Sequence, residues 1–268
     1  MTVIAAASPD FLAGAPALRS DEGPRRRAFL GSLAGLVGLG AGVTLVGCGG
    51  GSTADDLAAL RFVNGTVDYT SADFWVDDSL VYSGLANGGS ATGYGSEDAG
   101  TLQVALHPVG SSTAKLSSTY SFAQSSYTSV LAYGSIANGL YFRFFSEADA
   151  AAASGSFKVR AFHAMPALGA LDVYLSNTSS LSGLSPTLSI SAYGVLSDFV
   201  SVTSGTYRVR ITSGGDQSNV LFDYTVGVSV SSTTVLLLAI VPRSSGSLPD
   251  IAALPEQSSP VALINELA

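Results

Sequence analysis

At 268 residues the chain has room for one or two domains. Its 47% hydrophobic residues can bury a core, which excludes a disordered chain. The net charge of -8, with 12 Lys and Arg in all, excludes a nucleic-acid partner, because phosphate binding needs clustered cations. The single cysteine, Cys48, excludes an intrachain disulfide.

Arg25-Arg26-Arg27-Ala28-Phe29-Leu30 precedes the uncharged run 31–47, which ends in Leu45-Val46-Gly47-Cys48. A charged region, an apolar region and a small residue before the cut are the parts of an export signal. The arrangement resembles a twin-arginine signal, with Arg26 and Arg27 as the pair and Phe29 and Leu30 in their usual places. It departs from that pattern at Arg25 and Gly31. The last four residues resemble a lipobox, which implies that residues 1–47 are a signal peptide and that Cys48 carries lipid in the mature chain. Several acyl chains anchor stably where one is marginal. An uncleaved membrane anchor is the alternative, since an uncharged run of this length can just span a bilayer. Residues 48–56, rich in Gly and Ser, read as a flexible tether.

Beyond the tether the chain repeats itself. Leu60-Arg61-Phe62-Val63-Asn64 and Asp73-Phe74-Trp75-Val76 return as Val159-Arg160-Ala161-Phe162-His163 and Asp172-Val173-Tyr174-Leu175, each 99 positions later. A fixed period of this size, about that of one immunoglobulin-like sandwich, predicts two copies of one unit. Leu102, Val104 and Leu106 alternate with polar or small residues, as do Tyr207, Val209 and Ile211, so both segments read as half-buried strands. Here the offset is 105, which places about six extra residues in the second unit, within the Asn-, Gly- and Pro-containing stretch 176–186. The apolar run 235–241 reads as a strand buried on both sides. Further strands are expected over 81–83, 120–122, 141–145, 187–191 and 221–226, with one helical turn over 146–154. The chain is therefore expected to be all-β. It should form two tandem immunoglobulin-like antiparallel β-sandwiches, over 57–150 and 155–245. A proline-containing extension, 246–268, should follow, with an edge strand near 261–264.

Phe162-His163-Ala164-Met165-Pro166 followed by Leu171-Asp172-Val173-Tyr174-Leu175 resembles the signature of the family called domain of unknown function 4397. Met165 and Ala167 depart from it, and in the first unit Asn64 stands where the His would be. The resemblance covers about residues 57–245. It implies small tandem β-sandwiches in secreted or surface-attached bacterial proteins and brings no established activity.

The residues that could carry chemistry are few. His107 and His163 both lie at strand ends, where turn-stabilising hydrogen bonds are the expectation; a metal site would want further ligands at suitable spacing. Asp73 and Asp172 fall on the strand face opposite Phe74 and Val173, hence outward, together with Trp75 and Tyr174. Arg61 and Arg160 stand twelve positions earlier, which leaves an Arg–Asp cross-strand pair geometrically open in each unit. The alternative for this set is an aromatic-and-carboxylate patch for sugar or peptide. Neither a Gly-x-Ser-x-Gly elbow nor a dinucleotide loop is present, and the acidic pairs lack the spacing of a calcium loop. The sequence therefore predicts a non-enzymatic, lipid-anchored envelope protein, without cofactor. Its two sandwiches would serve as spacer or interaction modules, and glycan or peptide binding is the alternative reading. Its partners would be the membrane, through the lipid, and envelope proteins or glycans. If the host has two membranes, Gly49 after the cysteine favours the outer one.

Overall fold

The computed structural model describes residues 56–243 and 247–267; Arg26, Arg27, Phe29, Leu30 and Cys48 lie outside them. The first unit runs β1 (Leu57–Thr66), β2 (Ser71–Val76), β3 (Ser79–Ala86), β4 (Gly95–Asp98), β5 (Gly100–Pro108), β6 (Leu116–Phe122), β7 (Tyr127–Ser135) and β8 (Gly139–Ser146). The second runs β9 (Ser156–His163), β10 (Leu171–Ser176), β11 (Leu188–Ile190), β12 (Val200–Thr203), β13 (Gly205–Ser213), β14 (Asp216–Val230), β15 (Val235–Pro242), β16 (Pro249–Pro255) and β17 (Val261–Leu263). Sheet orders are β4-β1-β7-β8 and β3-β2-β5-β6 in the first unit, β12-β9-β15-β16-β17 and β11-β10-β13-β14 in the second. The two plans coincide strand for strand, with β17 added. Pairing is antiparallel except for one parallel pair in each unit, β1 with β7 and β9 with β15.

Each sandwich has a core built by period-two alternation. Leu60, Phe62, Phe74, Val104, Leu106 and Val130 meet inside the first. Val159, Ala161, Val173, Ile211, Phe222, Leu238 and Ile240 meet inside the second. A third cluster joins the two: Val63, Leu131 and Phe145 from the first unit pack with Phe162, Leu237, Ala239, Val241 and Leu254 from the second. The alternate residues of β1, β7, β9 and β15 thus face this seam rather than water. That is why β15 is buried along its whole length, as its unbroken apolar run predicts.

The seam corrects the Arg–Asp expectation. β1 and β2 belong to different sheets, as do β9 and β10. Arg61 follows Val63 to the seam face and is 1% exposed. Its Nε donates to Ser129 Oγ at 2.6 Å, Nη1 to the carbonyls of Pro255 and Ser258 at 3.0 Å each, and Nη2 to Glu147 Oε1 at 2.8 Å. Its guanidinium lies 4.8 Å from the Tyr94 ring centroid. Glu147 in turn accepts from the Tyr94 hydroxyl, from Ser129 Oγ and from the backbone N–H of Gln257. Arg160 pairs with Asp149 at 3.1 Å and lies over Phe199. The expected helical turn over 146–154 is absent, because Glu147 is held by this network and the following residues run irregularly to β9.

Residues 249–263 are not an extension either. They add β16 and β17 to the second sandwich, so that unit continues past 245. Pro249 and Pro255 sit at the two ends of β16, where a missing N–H leaves the ladder between them intact. The edge strand expected near 261–264 is β17.

Two outcomes follow from the seam. Glu147→Ala would strand the Arg61 charge in the interior, and we expect a loss of about 3–5 kcal/mol in denaturant unfolding. Glu256, facing Asp149, Glu147 and Arg160, has its carboxyl pushed up to about 7, first by burial and then by the Asp149 charge. An unfolded glutamate titrates near 4.5, so the folded chain holds the extra proton and this contribution to stability falls as pH rises from 4.5 to about 7. Glu256→Gln should flatten that slope and raise the melting temperature more at pH 8 than at pH 5, measured by thermal melts; an unchanged slope would refute the assignment.

Candidate functional site

The repeated aspartate is a fastener. Asp73 accepts from Ser83 Oγ at 2.9 Å, from the Gly84 N–H at 2.8 Å and from the Gly110 N–H at 2.9 Å. Asp172 accepts from Ser189 Oγ at 2.5 Å and the Gly215 N–H at 2.8 Å. In each unit one carboxylate ties its strand to a serine on one neighbouring strand and a glycine turn beyond the other. Gly110 and Gly215 have φ of 74° and 79°, the left-handed region, which turns their N–H groups in without a Cβ penalty. Both aspartates are buried beneath these partners, so neither is outward in the sense of being exposed.

His163 is fully buried. Its Nε2 lies 2.8 Å from the Gly169 carbonyl and its Nδ1 3.2 Å from the Met165 N–H. These partners assign a neutral ring that donates from Nε2 and accepts at Nδ1. Burial holds its pKa below the usual histidine value. Asn64 repeats the pattern in the first unit: Oδ1 accepts from the Thr66 N–H at 3.1 Å and Nδ2 donates to the Tyr69 and Leu85 carbonyls at 3.0 Å each. The amide reproduces the acceptor and donor of the imidazole, so the divergence at this position preserves its bonding.

The two units differ on the outer face of the β2 and β10 sheets. In the first, Trp75 stands opposite Ala105 and stacks on His107, with ring centroids 4.9 Å apart at 21°. These residues, with Asp78, Gln103, Ser112 and Ala114, line a recess of about 330 Å³. His107 Nδ1 donates to the Ser111 carbonyl at 3.0 Å and holds the loop that forms one wall. The turn bearing Asp78 is fixed to β5, because Asp77 Oδ1 accepts from the Gln103 N–H at 2.9 Å.

In the second unit Tyr174 stands opposite Arg210, the register of Trp75 and Ala105. That face is closed. Arg210 donates from Nη1 to Ser179 O at 3.0 Å, and from Nη2 to Ser176 Oγ at 2.7 Å and Thr178 O at 2.8 Å. Gln217 Nε2 donates to the Leu184 carbonyl. The extra residues between β10 and β11 therefore lie over this face, and Tyr174 is 2% exposed. The expectation that Tyr174 faces outward with Trp75 is corrected: Ala105 leaves Trp75 half-buried at the recess, whereas Arg210 holds a loop across Tyr174. Sequence position alone does not group His107, Gln103 and Asp78 with Trp75. The outward alternation of Gln103, Ala105 and His107 along β5 is the signal that places them together.

Among the described residues no group of three or more His, Cys, Asp or Glu is arranged to hold a metal. No helix among them is long and apolar enough to cross a membrane.

Residues 58–174 and 157–262 both match the family described as "Domain of unknown function (DUF4397)". No curated protein matches the chain. Among solved structures, one described as a putative adhesin from Bacteroides ovatus aligns at 11% identity and a TM-score of 0.24, over 79% of this chain and 96% of that one. A likeness at that score carries no argument about this chain.

The fasteners set the expected mutational order. Asp172→Ala removes charge-assisted hydrogen bonds, for which about 1.5–3 kcal/mol is usual. His163→Ala leaves the Met165 N–H and Gly169 carbonyl unpaired in the interior and should also destabilise, by about 1–3 kcal/mol. His163→Asn, the residue the first unit uses, should recover a large part of that loss. Because His163 titrates below its unfolded value, its contribution is present above about pH 6.5 and is lost as pH falls through the folded value. His163→Asn should remove that acid-side loss, the opposite slope to that of Glu256. Melting curves between pH 4 and 8 decide both.

Proposed function

The chain belongs to the DUF4397 family, and on that premise we propose that it is a non-enzymatic interaction module of the bacterial cell envelope. It is exported by the twin-arginine-like leader, anchored through lipid on Cys48, and contacts its partner through the outer face of the first sandwich. One observation carries the reading. The same register is open around Trp75 in one unit and covered around Tyr174 in the other, while the fasteners beneath both faces are retained. A pair of sandwiches serving only as a spacer has no use for that difference. The fold alone licenses no activity.

A photo-crosslinking side chain in place of Gln103, on intact cells, tests the surface. It should capture an envelope component that the same group in place of Ser218, exposed on the second unit, does not. Equal labelling from both positions, or none from Gln103, would return the protein to a spacer. Intact-mass analysis of membrane-extracted protein tests the anchor: the mature chain should begin at Cys48 and carry acyl mass. A chain beginning upstream, or an unmodified thiol, would refute it.

A further inference from the structure

We propose that the recess around Trp75 binds a neutral pyranose-based saccharide, with the indole as platform and Asp78, Gln103 and Ser112 meeting the hydroxyl groups. This rests on the reading of that face as the contact surface and names the chemistry it takes.

The chemistry of the lining leads to this class. Trp75 and His107 form a stacked aromatic pair beside the small side chains of Ala105 and Ala114. An amphipathic ring with one apolar C–H face can cover such a floor and keep its hydroxyls at the rim. Around that floor stand a carboxylate that accepts two or more O–H donors, an amide that both donates and accepts, and a hydroxyl that does the same. At about 330 Å³ the space lies at the small end of ligand sites, so it suits one or two rings rather than a long chain held throughout.

Two alternatives fit less well. An extended peptide is usually captured by adding a strand to a free sheet edge, where main-chain bonds supply affinity. Trp75 and Ala105 lie on interior strands: Trp75 is already opposite Leu80 and Ala105, and Ala105 is opposite Trp75 and Ser117. No ladder position is available there, so recognition must come from side chains. An acidic saccharide or phosphate would want Arg or Lys, and neither lines the recess, whereas Asp78 does. The net charge of -8 adds to that exclusion.

The site is also pre-organised. The His107–Ser111 bond fixes one wall, and the paired backbone and side-chain bonds between Asp77 and Gln103 fix the other. Less ordering is then required on binding, which matters for a ligand whose hydroxyls exchange water for protein at little net gain.

Trp75 is the chain's only tryptophan, so its emission reports this recess alone. The exported chain is titrated with neutral di- and tetrasaccharides of gluco, galacto, manno and N-acetylhexosamine type. The comparators are an oligogalacturonate and an unstructured Ser/Ala/Gly peptide. At least one neutral saccharide should give a saturable emission change with a Kd on the order of 1 mM or tighter. Calorimetry on Trp75→Ala should show binding weakened by about tenfold or more. Gln103→Ala should weaken it severalfold. Neither variant should melt differently enough to unfold at the working temperature, and Trp75→Phe should retain part of the affinity. Saturable binding of the peptide or of the oligogalacturonate alone overturns the neutral-saccharide assignment, and if Trp75→Ala abolishes it the contact surface stands. Absence of saturable binding across the panel overturns the assignment too. Only with no selective crosslink from Gln103 does the contact surface fall with it.

Discussion

A guanidinium taken out of water must have its charge and its N–H groups met inside the protein, and Arg61 sits where residues of both sandwiches do so. Its partners come from β1's own sheet (Ser129), from the residue after β8 (Glu147), from the last residue of β16 (Pro255) and from the turn beyond it (Ser258). The geometry is met only when the two units are in register across the seam. Such a pair is weak evidence for extra stability, since desolvating two ions offsets much of their attraction. It does specify an arrangement: a shift along the seam would leave a buried charge unpaired. The apolar cluster around Phe162, Leu237 and Val63 supplies the burial, and the Arg61 network selects which burial is allowed.

With the seam occupying one sheet of each sandwich, the remaining sheets, those of β2 and β10, carry the faces turned away from it. The duplication lets these two be compared position by position. Asp73 and Asp172 fasten the same turns, and Asn64 and His163 close the same crossover by the same pair of bonds. The scaffold is thus preserved below a surface that has diverged. Where the first unit has Ala105 and a two-residue turn at Asp77 and Asp78, the second has Arg210 and a longer loop. A small residue opens the face; a long cation bonded to two loop carbonyls and to Ser176 at the end of β10 shuts it. This division of labour gives the Trp75 recess its interest.

Several features were legible in one dimension because they depend on short-range pattern. The alternation in β5 and β13, the unbroken run of β15 and the shift of offset from 99 to 105 place strands, a doubly buried strand and a loop insertion without reference to packing. The misreadings share another cause. Arg61 and Asp73 are twelve residues apart and were expected as neighbours, but the chain changes sheet between them. Asp73 and Tyr174 have the alternation of outward residues, yet both are covered: Asp73 by the distant Gly110 turn, and Tyr174 by the loop that follows its own strand, which the distant Arg210 holds in place. Alternation says which side of a strand a residue occupies; it does not say whether that side meets water.

What the sequence by itself determined is therefore the repeat and the all-β class, since each follows from local periodicity. The tertiary structure alone decided that the two sandwiches share a seam, that β16 and β17 complete the second one, and that of two matched aromatic faces only the one at Trp75 is open. Those outcomes turn on contacts between segments tens to hundreds of residues apart, as in the 194 positions between Arg61 and Pro255. Such contacts form because burying apolar area and pairing buried charge favour one arrangement of the whole, which no local pattern records.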